Sequence, residues 1–479
     1  MRGTIDRLVR VGLATAACAV LAGCSTVEGL FGASGPPLGT PGFVQGFLGG
    51  VAAEEPRAAL IGRDILAAGG SAADAAAAMG FALGVTLPSR ASLAGGGVCL
   101  AYDPRRDQAI AATFLPRAPT VLDPGSDRPA ALPGTPRGLF ALHARLGRLP
   151  FEQVIAPAEQ AARFGTPMSR ALARDLAVVA TPLFADPNAR ARFARPDGTP
   201  LGEGDLLVQP ELANLIGLIR TQGVGDLYQG GLARRLADAS RAAGGALAFE
   251  DLRTTLPQLT TTVAVRLGSD VVHAAPVGGS VGAAVALRAL AARASAEEAA
   301  AAARAAAAAV RAGADPQAVL DGATPTGGGL PAALGATTGF VAVDRDGQAV
   351  ACAFTNNNLF GTGRVAPGLG LVLAAAPGIG AIPPALPSVL LISNSPLRAV
   401  RLAASASGGE AGPIALAVAA SEALARRTAA EAVAAPRPGL GDRLGRVNLV
   451  HCPGYLPRDP SSCSWAADPR GHGLALGAD

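Results

Sequence analysis

Along the first half of the chain apolar residues recur every three to four positions. In the second half they alternate or run together, so the two halves predict different elements. The first rhythm predicts helices at 56–68, 72–84, 136–146, 151–163, 169–180, 209–222 and 230–243. The second predicts strands at 260–267, 270–274, 338–343, 348–355, 369–375 and 388–393, then a helix at 412–427. Between them, 281–311 reads as a helical span broken near Ser295, and 313–336 as an irregular linker. The run from Gly339 to Phe354 predicts a hairpin whose Asp344, Arg345, Asp346 and Gly347 form the turn, since Asp-Gly suits positive φ. Periodicity alone supports a mixed α/β class, with strands clustered between helices as in two stacked, helix-covered sheets.

Bulk properties narrow this little. The formal charge of +4 over 479 residues leaves no footprint for nucleic acid or an anionic partner. All 40 basic residues are arginine, and the 50% apolar fraction is carried largely by alanine. Alanine runs such as 299–309 have strong helix preference and need no functional reading.

The N-terminus does change the picture. Arg2, Arg7 and Arg10 precede a short apolar run and then Leu21, Ala22, Gly23 and Cys24. This reads as a secretory signal too short for a permanent bilayer span, and it resembles the bacterial lipobox, in which the cysteine is lipidated. Ser25 follows, without the aspartate linked to inner-membrane retention, so the expectation is an outer-membrane anchor facing the periplasm. Gly, Pro and Ser enrich the tether that follows. Of the remaining cysteines, Cys99 and Cys352 fall in strand-like runs and read most simply as small buried residues. Cys452 and Cys463 bracket a Pro-rich stretch in a tail that has lost the helix–strand rhythm. In an oxidising compartment they are expected to form a disulfide, with two free thiols as the alternative. No spacing of cysteine and histidine suggests a metal site, and no cofactor is expected.

Chemistry concentrates at Thr337, at the head of a predicted strand and after a linker unsuited to any element. Threonine is common at strand starts, so an ordinary structural role is one reading. The other is nucleophilic: if the bond before Thr337 is cut, the new α-amine lies beside the same residue's hydroxyl and acts as its base. No distant histidine is then needed, and the four histidines form no recognisable triad.

Several ordered motifs resemble the γ-glutamyltranspeptidase family of N-terminal-nucleophile hydrolases over residues 51–430 or so. Gly69, Gly70, Ser71, Ala72 and Asp74 resemble its "GGNAxDAA" helix start. Gly95, Gly96 and Gly97 resemble its glycine-rich strand, and Gly147 to Phe151 its "G-lpw" turn. Gln209 to Ala213, Tyr228 with Gly230, and Gly244 through Leu252 follow in register. The resemblance implies an αββα four-layer sandwich. It also implies self-cleavage into two chains before Thr337, and acyl transfer from a small-molecule or peptide amide through a Thr337 ester. Thr355 and Asn357 stand at the family's spacing for the threonine that contacts the nucleophile and the asparagine that orients substrate. Gly408 and Gly409 resemble its oxyanion pair.

The departures are specific. By the same alignment, the arginine, aspartate and paired serines that hold the family's glutamyl group become Leu115, Gly378, Pro384 and Ala385, and the histidine after the two threonines becomes Gly339. Arg117 is a candidate substitute for the lost arginine, although two residues along a strand is about 6–7 Å. The expected organisation is therefore a signal peptide (1–24), a tether (25–50), a large-subunit segment (51–336), a small catalytic segment (337–435) and a Cys-containing tail (436–479). The expected function is an autoprocessed γ-glutamyltransferase-like hydrolase with altered specificity. The rival reading is a catalytically inactive relative that serves as a binding or scaffold protein of the envelope.

Overall fold

Two antiparallel sheets stack face to face between layers of helix in the computed structural model, which describes residues 46–121, 125–323, 336–380, 382–437, 440 and 445–478. The expected signal peptide, Cys24 and most of the tether lie outside these residues, as do positions 324–335 of the linker. We label the strands β1 (Gly49–Ala53), β2 (Gly96–Asp103), β3 (Gln108–Phe114), β4 (Gln258–Thr261), β5 (Val263–Leu267), β6 (Asp270–Ala274), β7 (Thr337–Asp344), β8 (Ala349–Thr355), β9 (Ser388–Asn394), β10 (Ala399–Ser407), β11 (Arg446–Leu456), β12 (Ser464–Ala467) and β13 (Leu474–Ala478). The first sheet has the order β13-β1-β7-β8-β2-β3-β4, and the second β12-β11-β10-β9-β6-β5.

Side-chain alternation sorts each strand between two cores. Val98, Leu100, Val341 and Ala353 of the first sheet meet Val389, Leu391, Ala403 and Val450 of the second in the layer between them. On the far side of the second sheet, Leu390, Leu402 and Ala404 pack under helices α7 (Gly278–Ala291), α8 (Ala296–Arg311) and α9 (Ala411–Leu424). Helices α1 (Pro56–Ala67), α2 (Ala72–Thr86) and α3 (Thr135–Leu146) cover the first sheet; α4 (Phe151–Phe164), followed in the chain by α5 (Arg170–Leu183), packs on α2, and α6 (Pro210–Gln222) packs on α4. Every residue of α2 is buried. Its small side chains permit a close approach to the sheet: a Cβ on Gly80 would lie 2.5 Å from Leu139 and 2.9 Å from the Phe354 ring.

Three differences from the sequence pattern have physical causes. The single strand expected at 260–267 is two strands, because the chain leaves the first sheet after Thr261 and enters the second at Val263. Of the strand expected at 369–375, only Leu371–Val372 joins a ladder, in a small hairpin with Val365–Ala366, while Ala375 makes an isolated bridge to Ala130. The segment read as a tail with little core of its own instead supplies a strand to the interior of the second sheet (β11), its edge (β12) and an edge strand of the first (β13). Its apolar positions serve two buried faces, so they do not alternate as a half-exposed strand would. The Cys452–Cys463 disulfide ties β11 to the turn before β12. Cys99 and Cys352, read as small buried residues, are buried but bonded to each other.

A buried carboxylate organises the start of α2. Ser71 caps the helix by accepting from Asp74 N, while Asp74 Oδ2 accepts from Ser71 N at 2.8 Å. The same carboxylate accepts from Arg148 N and Leu149 N, and lies 3.2 Å from His143 Nε2. Burial alone would raise its pKa. The donors from His143, Ser71, Arg148 and Leu149 outweigh burial and hold it below the usual range. His143 is shifted up: burial opposes its charge, but Asp74 and the Leu149 carbonyl favour it. The depressed carboxylate therefore contributes stability that is present above its unfolded pKa and lost as pH falls through the folded value. The histidine's contribution is present below its unfolded pKa and lost as pH rises through its folded one. Asp74→Ala leaves several buried donors without an acceptor and is expected to cost about 3 kcal/mol or more in urea unfolding. The variant should also lack the wild type's loss of stability below about pH 4. Unchanged stability would show that these donors find other partners.

Candidate active site

Register places the residues singled out from the sequence. Strands β7 and β8 pair so that Thr337 stands opposite Thr355, and β8 pairs with β2 so that Thr355 stands opposite Gly96. The ladder continues one step past Thr337, with Asn356 N donating to the Ala336 carbonyl at 3.3 Å. Thr337 is 1% exposed. By alternation with Val341 and Val343 its side chain lies on the face toward the second sheet, where Gly408 N donates to Thr337 Oγ1 at 3.1 Å.

That donor comes from the end of β10. Gly408 (φ 110°) and Gly409 (φ 60°) both lie in the left-handed region, where a side chain would be strained. The pair turns the chain from β10 into α9, which begins at Ala411, so the positive end of that helix dipole lies beside the threonine. Gly339 explains why no side chain follows the two threonines: a Cβ there would lie 2.6 Å from Ser405 Oγ of the opposing sheet. Ser405 Oγ and Thr338 Oγ1 are buried without a hydrogen-bond partner among the described residues.

Thr355 and Asn357 form a local unit. Asn357 N donates to Thr355 Oγ1 at 2.8 Å, and Asn357 adopts positive φ (62°), which asparagine tolerates. Its amide donates to the Ala375 carbonyl at 2.9 Å and accepts from Ala385 N at 3.4 Å. Asn357 thus ties down both ends of the 375–385 segment, in which Gly378 turns at φ 77° and donates to the Ile382 carbonyl. Pro384 and Ala385 are therefore at the site. Arg117 stands apart: it is exposed and lines a cavity of about 200 Å³ with Leu115, Arg137, Thr255 and Leu256. No hydrogen bond among the described residues joins it to Thr337, Thr355, Asn357, Gly408 or Gly409.

Two further residues at the site escaped the sequence reading. Asn356 is fully buried, with its amide donating to the Pro88 carbonyl and accepting from Ser92 N, both at 2.9 Å. These contacts fix the backbone N–H that holds Ala336. Its position beside Asn357 is the only hint in the sequence. Glu54, next after β1, accepts from Gly339 N at 3.1 Å and from Arg90 Nη1 at 3.2 Å. Arg90 in turn grips Asp175 through Nε and Nη2 at 2.7 and 2.6 Å. Burial raises the Glu54 pKa against the pull of Arg90. Nothing local in the sequence marks this network, because its partners are far apart along the chain.

The histidines lie elsewhere. His143 is held by Asp74. His273 bonds Thr262 and Ser393, and burial pushes its pKa down to about 4. His451, also pushed down to about 4 by burial, contacts the Arg427 carbonyl. Among the described residues no group of three or more acidic, cysteine or histidine side chains is placed to hold a metal.

Known proteins resemble this chain in sequence and in fold. The profile of the γ-glutamyltranspeptidase family matches residues 58–310, just over half of the chain. Among curated relatives, the Escherichia coli (strain K12) glutathione hydrolase proenzyme is 29% identical over 397 residues, 71% of this chain and 68% of the relative. Glutathione hydrolase 3 of Arabidopsis thaliana is 30% identical over half of this chain and 40% of its own. The proenzyme of Bacillus subtilis (strain 168) is 34% identical over 43% and 37%. The chain thus spans about two fifths of the length of these last two relatives. Among solved structures, a cephalosporin acylase from Bacillus halodurans superposes with a TM-score of 0.73 at 20% identity, over 93% of this chain and 98% of that one. The γ-glutamyltranspeptidase of Helicobacter pylori gives 0.50 at 23%, over 62% and 95%. At these identities the superpositions establish the fold, which is that of the N-terminal-nucleophile hydrolases.

Proposed function

The chain belongs to the γ-glutamyltranspeptidase family, and from that premise we propose that it is a threonine hydrolase or acyltransferase that frees its own nucleophile. The observation that carries this reading is the Gly408 N–H on Thr337 Oγ1, at the head of a strand whose preceding carbonyl is held by Asn356 N. In the proposed scission Thr337 Oγ1 attacks the Ala336 carbonyl carbon, and the oxyanion forms on the oxygen that Asn356 N already contacts. The amide nitrogen leaves as the α-amine of Thr337, giving an ester that water hydrolyses. In turnover that amine takes the hydroxyl proton, Oγ1 attacks the substrate amide, and the N–H groups of Gly408 and Gly409 receive the oxyanion; its collapse breaks the C–N bond, the leaving amine takes the proton, and water or an acceptor amine then releases the acyl group from Oγ1. One such donor is typically worth about 3–4 kcal/mol of transition-state stabilisation.

Specificity is the second part of the proposal. A glutamyl α-carboxylate and α-amine need charged or hydrogen-bonding partners, and the side chains of Leu115, Gly378, Pro384 and Ala385 supply none. The preferred acyl group is therefore less polar, or charged differently, than γ-glutamyl. The same substitutions favour the rival reading, in which the fold persists as an inactive binding or scaffold protein. For localisation, the lipobox-like sequence ending at Cys24 supports a lipid-anchored protein of the periplasm-facing outer membrane.

Three expected outcomes follow from this reading. Wild-type protein should yield a fragment beginning at Thr337 on reducing electrophoresis, whereas Thr337→Ala should stay whole; a folded wild type that stays whole would favour the scaffold reading. On a chromogenic γ-glutamyl anilide, kcat/KM should fall on the order of a thousandfold below that of an authentic transpeptidase, since three lost contacts to ions cost about 1.5–3 kcal/mol each. Comparable efficiency would mean that other groups rebuild the glutamyl pocket. Intact mass of the mature N-terminus should show acylated Cys24, with more than one chain because a single one anchors only marginally. An unmodified N-terminus after residue 24 would reject the anchor.

A further inference from the structure

Cys99 lies on β2 and Cys352 on β8, directly opposite one another in adjacent antiparallel strands, and their sulfurs are bonded. Both residues are fully buried. Their strand neighbours Val98, Leu100, Ala351 and Ala353 face the layer between the sheets, so by alternation the disulfide lies on the opposite face, toward the helices. In sequence the two cysteines are 253 positions apart, and Thr337 falls between them. The other disulfide, Cys452–Cys463, lies wholly after Thr337.

We propose that Cys99–Cys352 is an inter-subunit bond: after scission before Thr337, it keeps the two products a single covalent molecule. The inference rests on the scission proposed above. It assigns the disulfide a role that a bond within one uncut chain would not have. Scission leaves β7 and β8 on one product and β1, β2 and β3 on the other, so the central sheet is shared between two chains. Without a covalent link, the pairing of β8 with β2 would be an association between separate molecules. The bond lies three residue pairs from Thr355↔Gly96 on that same pair of strands. It therefore holds the strand bearing Thr355 and Asn357 against the glycine-rich strand of the other product.

Formation of the bond requires an oxidant. The two thiols lose two protons and two electrons by exchange with a protein disulfide donor, which leaves as a dithiol. Such donors belong to oxidising compartments, in keeping with the secretory signal read at the N-terminus. Because the sulfurs are buried in the folded protein, exchange must precede completion of the fold, and a reductant should reach the bond only when the protein is unfolded.

The test separates the bond from the scission. Wild-type protein, purified without reductant and denatured in N-ethylmaleimide, should run as one species of full combined mass. With reductant it should resolve into two, while Thr337→Ala should run as one in both conditions. Two species from the wild type without reductant would overturn the proposal. A wild type that stays single even with reductant would overturn the scission, and with it the inter-subunit role. Tryptic mapping without reduction decides the bond itself in wild type and Thr337→Ala alike. The peptides 91–105 and 346–364 should appear as one linked species. Their recovery as separately alkylated peptides would overturn the bond even if scission occurs. The double variant Cys99→Ala, Cys352→Ala should resolve into two chains without reductant. If it fails to fold, the wild-type map still decides the question.

Discussion

The site depends on the pairing of β7 with β8. Antiparallel hydrogen bonding fixes Thr337 opposite Thr355 and carries the ladder one step further, to Asn356 and Ala336. A slip of one residue would turn every side chain of β7 to the other face and move Thr337 out of reach of Gly408. The register is held from both sides. Packing of Val341 and Val343 between the sheets opposes a shift. The Asp344 carboxylate accepts from Gln348 N in the turn and from Ala72 N at the start of α2.

Around this ladder, polar groups replace strand pairing where the sheet has to open. β1 pairs with β7 only as far as Phe340. At the next step Glu54 N still donates to the Gly339 carbonyl at 3.3 Å, but Gly339 N is taken by the Glu54 side chain, anchored through Arg90 to Asp175. The neighbouring strand thus ends short of Thr337, leaving the head of β7 unpaired on that side. A buried carboxylate is a costly way to end a strand pair unless it is itself partnered, and here Arg90 partners it and is in turn paired with Asp175. Small residues complete the arrangement. Glycine at 339 lets the opposing sheet close on the threonines, and Gly408 and Gly409 let a backbone N–H reach Oγ1.

Local features were legible in the sequence. The hairpin around Asp346–Gly347, the N-cap at Ser295 that separates α7 from α8, and the Ser71 helix start all lie where the pattern put them. Each is set by residues within a few positions of one another, so propensity and capping suffice. The candidate threonines and the glycine pair were likewise found by motif, and the fold brings them together. What was not legible depends on distant partners. Glu54, Arg90 and Asp175 meet only in the folded chain, and nothing at Cys99 announces Cys352. The strands after residue 445, one inside the second sheet and two at sheet edges, find their places only because both sheets accept them. Arg117, two residues from Leu115 in sequence, lines a cavity beside it, and no hydrogen bond among the described residues joins it to the Thr337 group.

The central claim is that Thr337 is the residue on which acyl groups are carried. It is tested most directly by acid-quenching the enzyme during turnover of an activated acyl ester and locating the adduct by fragment mass spectrometry. The account predicts one acyl group on the peptide that begins with Thr337, absent from Thr337→Ala. An adduct on any other residue, or turnover that survives the substitution, would contradict it.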